Sequence, residues 1–189
     1  MPSTARGSAT RRRILDAATE EFAAHGIAGA RVDRIAAAAG ANKALIYFHF
    51  SNKDGLFTAV FEQIVNQALA EAPMDGANLP EYAGRLFDIS QAHPEVLRLV
   101  TWHRLERAAT DPPMKAVLAA NQSKIDAIAK AQEAGRVTTR FTAPDLLALA
   151  LTIANMWTVQ SPEPHPSAPR SPEAQRAVIV AAVTALVKP

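Results

Sequence analysis

The sequence predicts an all-α protein in which a small three-helix unit precedes a larger helical body. Alanine and leucine dominate a chain of 189 residues that is 49% hydrophobic and only 6% aromatic, and β-branched runs are few, a composition that favours helix over strand. Apolar residues recur three and four positions apart through most of the chain. Serine and threonine stand ahead of these stretches, while glycine closes several of them and proline falls in first turns, where helix signals belong. No internal repeat and no convincing strand pattern interrupts the series.

The first helix is predicted over residues 10–24, capped by Ser8 or Thr10, with Ile14, Leu15, Ala18 and Phe22 on one face. His25-Gly26 ends it, glycine supplying the left-handed backbone that helix C-termini use. A short helix at 32–39 turns Ile35, Ala36 and Ala39 inward; Gly40 permits a sharp turn, and a third short helix covers about 42–49. Two short helices across a tight glycine turn form a helix-turn-helix pattern, whose second helix can lie in a DNA major groove. Ser51-Asn52-Lys53-Asp54 reads as a capping box that opens a fourth helix, with Leu56, Phe57, Val60, Phe61 and Ile64 as its apolar stripe.

Ala72-Pro73-Met74-Asp75-Gly76 breaks the chain after this unit. Helices are then expected at roughly 80–92, 94–109 and 113–134, the last closed by Gly135. A capping box at Thr142-Ala143-Pro144-Asp145 opens a helix to about residue 159, and Ser171-Pro172-Glu173 starts a final one running to 187. The proline-rich stretch 161–171 between them is expected to be an irregular loop. The organisation that follows is a disordered basic arm at 1–9, a helix-turn-helix domain at 10–50, a connecting helix at 51–72 and a C-terminal domain at 73–189.

Composition narrows the function classes. The chain has no cysteine, which removes disulfides, thiolate zinc sites and cysteine nucleophiles together. Its histidines, at 25, 49, 93, 103 and 165, show no metal-ligand spacing, and no glycine-rich phosphate loop, nucleophile elbow or paired-carboxylate site is seen. No catalytic residue, metal or cofactor is therefore expected. An all-helical enzyme using His103, resting on the His103–Glu106 helix-face pair, is the alternative from another class. The N-terminal basic residues are not followed by an apolar core, and the longest apolar run, Leu146–Val159, is about 14 residues against the roughly 20 that span a bilayer. A soluble, cytoplasmic protein without membrane contact is expected. Up to Val60 there are eight Lys and Arg against five acids, while the remainder has twelve against thirteen, so the N-terminal third suits a polyanionic partner.

The segment from Ile35 to Phe57 resembles the signature of the tetracycline-repressor (TetR) family of bacterial transcriptional regulators. The matching residues are Ile35-Ala36, Ala39-Gly40, Asn42-Lys43-Ala44-Leu45, Tyr47-Phe48-His49-Phe50, Lys53 and Leu56-Phe57, with Ile14-Leu15-Asp16-Ala17-Ala18, Phe22 and Gly26 in register ahead. The resemblance spans about residues 10–65. It implies an all-α fold with an N-terminal helix-turn-helix domain and a larger C-terminal helical ligand-binding and dimerisation domain. It also implies a ligand-responsive repressor acting on a palindromic double-stranded DNA operator. A regulator that senses no small molecule, its C-terminal body only dimerising or binding protein, stays open beside it.

By that resemblance Tyr47 and His49 hydrogen-bond phosphate oxygens from the end of the recognition helix. Lys53 faces a phosphate from the start of the fourth helix, beside that helix's N-terminus. Asn42 and Lys43 reach phosphate or base edges, whereas Ala44, Leu45 and Phe48 offer apolar contact, for example to thymine methyls. Leu45 suits domain core and groove equally, and Phe50 suits the core. The family usually has Ser or Thr just before the second helix; here Ala30 and Arg31 occupy those places, which removes a cap at a cost on the order of 1 kcal/mol. Arg31 either takes over the phosphate contact or is simply solvated.

The helices at 144–159 and 172–187 are apolar nearly all round, as helices buried on two sides are. The resemblance makes them a four-helix homodimer interface; a wholly intramolecular core is the alternative. For the unknown small-molecule effector, Trp102, His103, Asn155, Met156 and Trp157 are the candidate contacts, although core filling explains each as readily. Arg98, Arg104 and Arg107 favour an acidic ligand or form a solvated face.

Overall fold

The computed structural model describes residues 5–74, 78–107, 109, 111–112, 114–159 and 171–189. Its regular elements are all helical: α1 (Ala5–Gly29), α2 (Val32–Ala39), α3 (Lys43–Phe50), α4 (Lys53–Glu71), α5 (Leu79–Ala92), α6 (Pro94–Glu106), α7 (Lys115–Glu133), α8 (Ala143–Ala154), α9 (Met156–Val159) and α10 (Pro172–Val187). The chain forms two compact units, one of residues 1–67 with 93–113, the other of 68–92 with 114–189.

The first unit is built on the apolar faces read from the sequence. Ile14, Leu15, Ala18 and Phe22 of α1 are buried with Ile35, Ala36 and Ala39 of α2 and with Leu56, Phe57, Val60, Phe61 and Ile64 of α4. Phe22 meets Phe57 edge to face, centroids 5.2 Å apart, a favoured aromatic geometry. Two expectations change here. Helix α1 begins at Ala5 rather than Thr10, so residues 5–9 continue a helix instead of a disordered arm. Helix α6, expected within a C-terminal body at 73–189, belongs to this unit because its side chains bind α1. The Nε1 of Trp102 donates to the Ala23 carbonyl at 3.3 Å, and the Glu106 carboxylate accepts from the amides of Ile27 (3.0 Å) and Ala28 (2.9 Å). Those amides are free for it because Gly26, at φ 71 and ψ 179, interrupts the helical ladder.

Caps decide the remaining boundaries. Helix α4 is capped by Asn52 rather than Ser51: Asn52 Oδ1 accepts from Gly55 N at 2.7 Å, and Ser51 itself has φ 65. Thr142 Oγ1 accepts from Asp145 N at 3.3 Å, and Ser171 Oγ from Ala174 N at 3.3 Å, as their sequence positions predict. The expected helix at 144–159 is broken at Asn155, whose side-chain amide donates to the Leu151 carbonyl at 2.9 Å and separates α8 from α9.

In the second unit α5, α7, α8 and α10 enclose a core of Leu79, Tyr82, Ala83, Phe87, Ile128, Ala131, Leu146, Leu147, Ala150, Ile179 and Val183. Arg176 of α10 ties down α5, donating to Asp88 and Glu81 at 2.8 Å each across the close approach at Gly84. The proline-rich stretch at 161–171 lies, but for Ser171, outside the described residues. No described helix is long and apolar enough to cross a membrane, and no described group of His, Cys, Asp or Glu could hold a metal ion.

Candidate nucleic-acid interface

Helix α3 presents one face to the core and the opposite face to solvent. Ile46 and Phe50, four residues apart, are buried and hold the helix down. The other face carries Ala44, Tyr47 and Phe48; Tyr47 is 43% exposed and Phe48 81% exposed. Standing almost clear of the protein, the Phe48 ring gains little from the fold. His49 is half-buried, with its ring 5.4 Å from that of Phe48. Leu45, equivocal in the sequence, is half-buried too.

The helix N-terminus is set by Asn42, whose Oδ1 accepts from Leu45 N at 2.8 Å, so that oxygen serves the cap. Lys43 Nζ reaches back to Asp33 of α2 at 2.6 Å, which steadies the angle between the two helices. This hydrogen bond and charge raise the Lys43 pKa above its ordinary value. Arg11 of α1 lies over the Phe50 ring at 5.2 Å, bringing a second cation beside the end of α3.

Arg31 is the N-cap of α2 and makes no side-chain cap bond, in line with the cap missing from the sequence. The sequence reading overlooked its replacement. Glu21 of α1 accepts the Arg31 backbone amide at 2.8 Å, as a reciprocal capping-box carboxylate does, and also binds Arg34 at 2.6 Å. Burial alone would raise the Glu21 pKa; the hydrogen bonds from Arg34 and from the Arg31 amide, with the charges of Arg34 and His25, outweigh it and hold the pKa low. The Arg31 side chain itself is exposed.

Lys53 is placed differently from expectation. Its Nζ donates to the carbonyls of Ala28 (3.0 Å) and Ala30 (3.3 Å), tying α4 to the end of α1. Both carbonyls stand at the C-terminal end of α1, where no further turn of helix supplies amides for them, and the Lys53 ammonium takes them.

The five candidate effector contacts divide between the units. Trp102 and His103 lie in the first. There Trp102 binds α1, and the His103 ring stacks on Phe61 with centroids 4.2 Å apart. Asn155, Met156 and Trp157 lie in the second, all half-buried; Asn155 caps α8 and Trp157 Nε1 donates to the Gln175 carbonyl at 3.4 Å.

Comparison with known proteins places both units. Residues 14–60 match the model of the "Bacterial regulatory proteins, tetR family", and residues 78–184 match "Tetracyclin repressor-like, C-terminal domain". The chain is 43% identical over 156 residues, 82% of its length and 81% of the relative's, to the HTH-type transcriptional repressor SCO4008 of Streptomyces coelicolor. Its fold matches the crystal structure of the transcriptional regulator SCO4942 from Streptomyces coelicolor with a TM-score of 0.81 and 39% identity, over 94% of this chain and 98% of that one. It also shares a fold with AibR, solved in complex with isovaleryl coenzyme A and operator DNA, at a TM-score of 0.70 and 17% identity over 92% of this chain and 97% of that one.

Proposed function

The chain belongs to the TetR family of bacterial transcriptional regulators, and on that premise we propose that it is a homodimeric repressor whose α3 reads a palindromic operator and whose C-terminal unit releases it on binding a small molecule. The single observation that carries the reading is the exposed face of α3, with Phe48 81% exposed above a core-anchored Ile46 and Phe50. Tyr47 and His49 at the helix end, and Arg11 beside it, position the domain through phosphates. Ala44 and Phe48 offer only apolar contact to base edges, and Lys43 adds the charge at the N-terminal end. Arg31 and Asn42 flank the same face from the starts of α2 and α3. Lys53 supports it from behind by fixing α4 to α1, so its role is positional.

Dimerisation is proposed through α8 and α10. Each buries one stripe within the unit and leaves another outside: Ala148, Leu149 and Thr152 on α8, and Ala177, Ala181, Thr184 and Ala185 on α10. These small, uncharged faces allow close helix approach, and a twofold axis pairs each with itself. Two such domains on a dimer match operator half-sites about one DNA turn apart, roughly 34–36 Å.

Effector action is proposed to run through α6 into the reading head. Trp102 and Glu106 couple α6 to α1 by hydrogen bonds, and His103 couples it to α4 by stacking on Phe61. A shift of α6 therefore reaches both helices that carry α2 and α3. The ligand releases DNA only by as much as it prefers the shifted conformation, typically about 1–3 kcal/mol. Selection of bound DNA from random sequence tests the reading: recovery of a palindrome supports it, and recovery of no sequence, or of one asymmetric half-site, overturns it.

A further inference from the structure

Lys43 opens α3 and Asp33 stands in the first turn of α2, with the Lys43 Nζ 2.6 Å from the Asp33 Oδ1. Their side chains are 51% and 55% exposed, so the pair stands open to a partner rather than inside the core. The Tyr47 phenol and the Arg31 guanidinium act on the same ammonium, the first favouring its charge and the second opposing it. An exposed ion pair contributes little to stability. Its consequence lies in what it leaves Lys43 able to bind.

A free ammonium at the start of a reading helix is a phosphate clamp, because each phosphate it neutralises releases a counterion. The Lys43–Asp33 pair is neutral and has no such gain. To move onto a phosphate, Lys43 must abandon Asp33, which leaves a bare carboxylate facing the polyanion. Staying on Asp33 occupies one of the three N–H groups of the ammonium and keeps two. Those two are then held at the first turn of α3 instead of sweeping at the end of a flexible stem. In the major groove guanine presents two acceptors side by side, N7 and O6, which suit such donors. The neighbouring side chains do not compete for that edge. Asn42 Oδ1 is spent on the cap of α3, which denies it the paired contact that asparagine makes to adenine, and Ala44 and Phe48 carry no side-chain donor. We infer that Asp33 is a positioning residue that withdraws Lys43 from the phosphate backbone and makes it the reader of one guanine in each half-site. That role rests on α3 being the reading helix, as proposed above, and is one of the two that the sequence left open for Lys43.

The test uses the full-length protein as wild type, Asp33→Asn, Asp33→Glu and Lys43→Met, each put through selection of bound DNA from random sequence. Each is also titrated across a salt series against the wild-type operator and against a scrambled duplex of the same length. The wild-type operator carries a guanine in each half-site that Lys43→Met no longer prefers, while the other positions keep their preference. Asp33→Asn loses the preference at that same position. It also binds the scrambled duplex about fivefold more tightly than the wild type near ~0.1 M salt, with a log–log slope steeper by roughly 0.9 for each engaged domain. Asp33→Glu, which keeps the charge, keeps the guanine. A purely structural Asp33 would instead weaken both duplexes together on substitution, and a purely repulsive one would strengthen both and leave the guanine in place.

Asp33→Asn retaining the guanine that Lys43→Met loses overturns the positioning role, as does weaker binding of the scrambled duplex by Asp33→Asn. A uniform loss across all sequences in Lys43→Met returns Lys43 to the phosphates and overturns the reader. Loss of preference for a base other than guanine overturns the guanine assignment. Failure of the regulatory reading looks different. A wild type that selects no sequence sinks the operator and this reader together, whereas a wild-type palindrome that Asp33→Asn selects unchanged sinks the reader alone.

Discussion

Glu106 and Gly26 are fitted to each other: a Cβ added at Gly26 would stand 2.8 Å from Glu106 Oε1. The same Cβ would come within 3.0 Å of the Trp102 ring, and the residue sits at φ +71, where an L side chain is strained. Gly26→Ala is therefore expected to cost about 1–3 kcal/mol, through strain and the displaced carboxylate together. Urea unfolding reads this as a lower midpoint with an unchanged slope. An unchanged midpoint would mean that α6 does not hold α1 in this way.

Glu21 sets a pH dependence. Its folded pKa lies below the ordinary carboxylate value, because the Arg34 and Arg31 hydrogen bonds outweigh burial. Its contribution to stability is thus fully present above the unfolded pKa of about 4.3 and is lost as pH falls through the lower folded value. Glu21→Gln is expected to be less stable than the wild type at pH 7 and to converge on it in acid. Stability curves that stay parallel from pH 7 to 3 would contradict the assignment.

The phosphate and base contacts proposed for α3 are separable by mutation. Tyr47→Phe and His49→Ala are expected to weaken binding about uniformly across operator variants, since phosphates carry no sequence information. Phe48→Ala is expected instead to flatten the preference at one position. If the partner is a thymine methyl, replacing that thymine by deoxyuridine weakens the wild type and leaves Phe48→Ala unaffected. A uniform loss in Phe48→Ala would move Phe48 into the positioning set.

Binding as a whole is expected to fall steeply with salt, each neutralised phosphate adding roughly 0.9 to the log–log slope. Titration of the selected operator between low and physiological salt measures it. Arg11→Ala should reduce the slope by about one unit if α3 lies on DNA as proposed, because Arg11 stands over Phe50 at the end of α3. An unaltered slope would leave Arg11 as a packing residue only.

Leu149 on α8 is exposed, as is Ala181 on α10. Leu149→Glu and Ala181→Glu each place a charge on both sides of the proposed twofold interface, where it has neither water nor a counter-ion. Sedimentation is expected to show monomers for both variants, with helix content retained. A dimer that survives both substitutions would put the interface elsewhere.

Local order was legible in the sequence wherever a side chain serves its own helix. The buried faces Ile14–Phe22, Ile35–Ala39 and Leu56–Ile64 follow from 3.6-residue spacing, and Thr142 and Ser171 cap the helices they precede. The α3 residues that face solvent were identifiable because the family motif fixes both their type and their phase on the helix. Tertiary structure decided what depends on distant partners. Lys53 binds the Ala28 and Ala30 carbonyls, Glu21 supplies the cap that Arg31 lacks, and α6 joins the first unit through Trp102 and Glu106. Each of these unites residues 10 to 79 positions apart, and periodicity carries no information at that range. Lys124 is the limiting case. Nothing in its neighbours on α7 distinguishes it from a solvated lysine, and only the packing of the fold, with the Tyr82 ring of α5 beside its Nζ, covers most of its side chain.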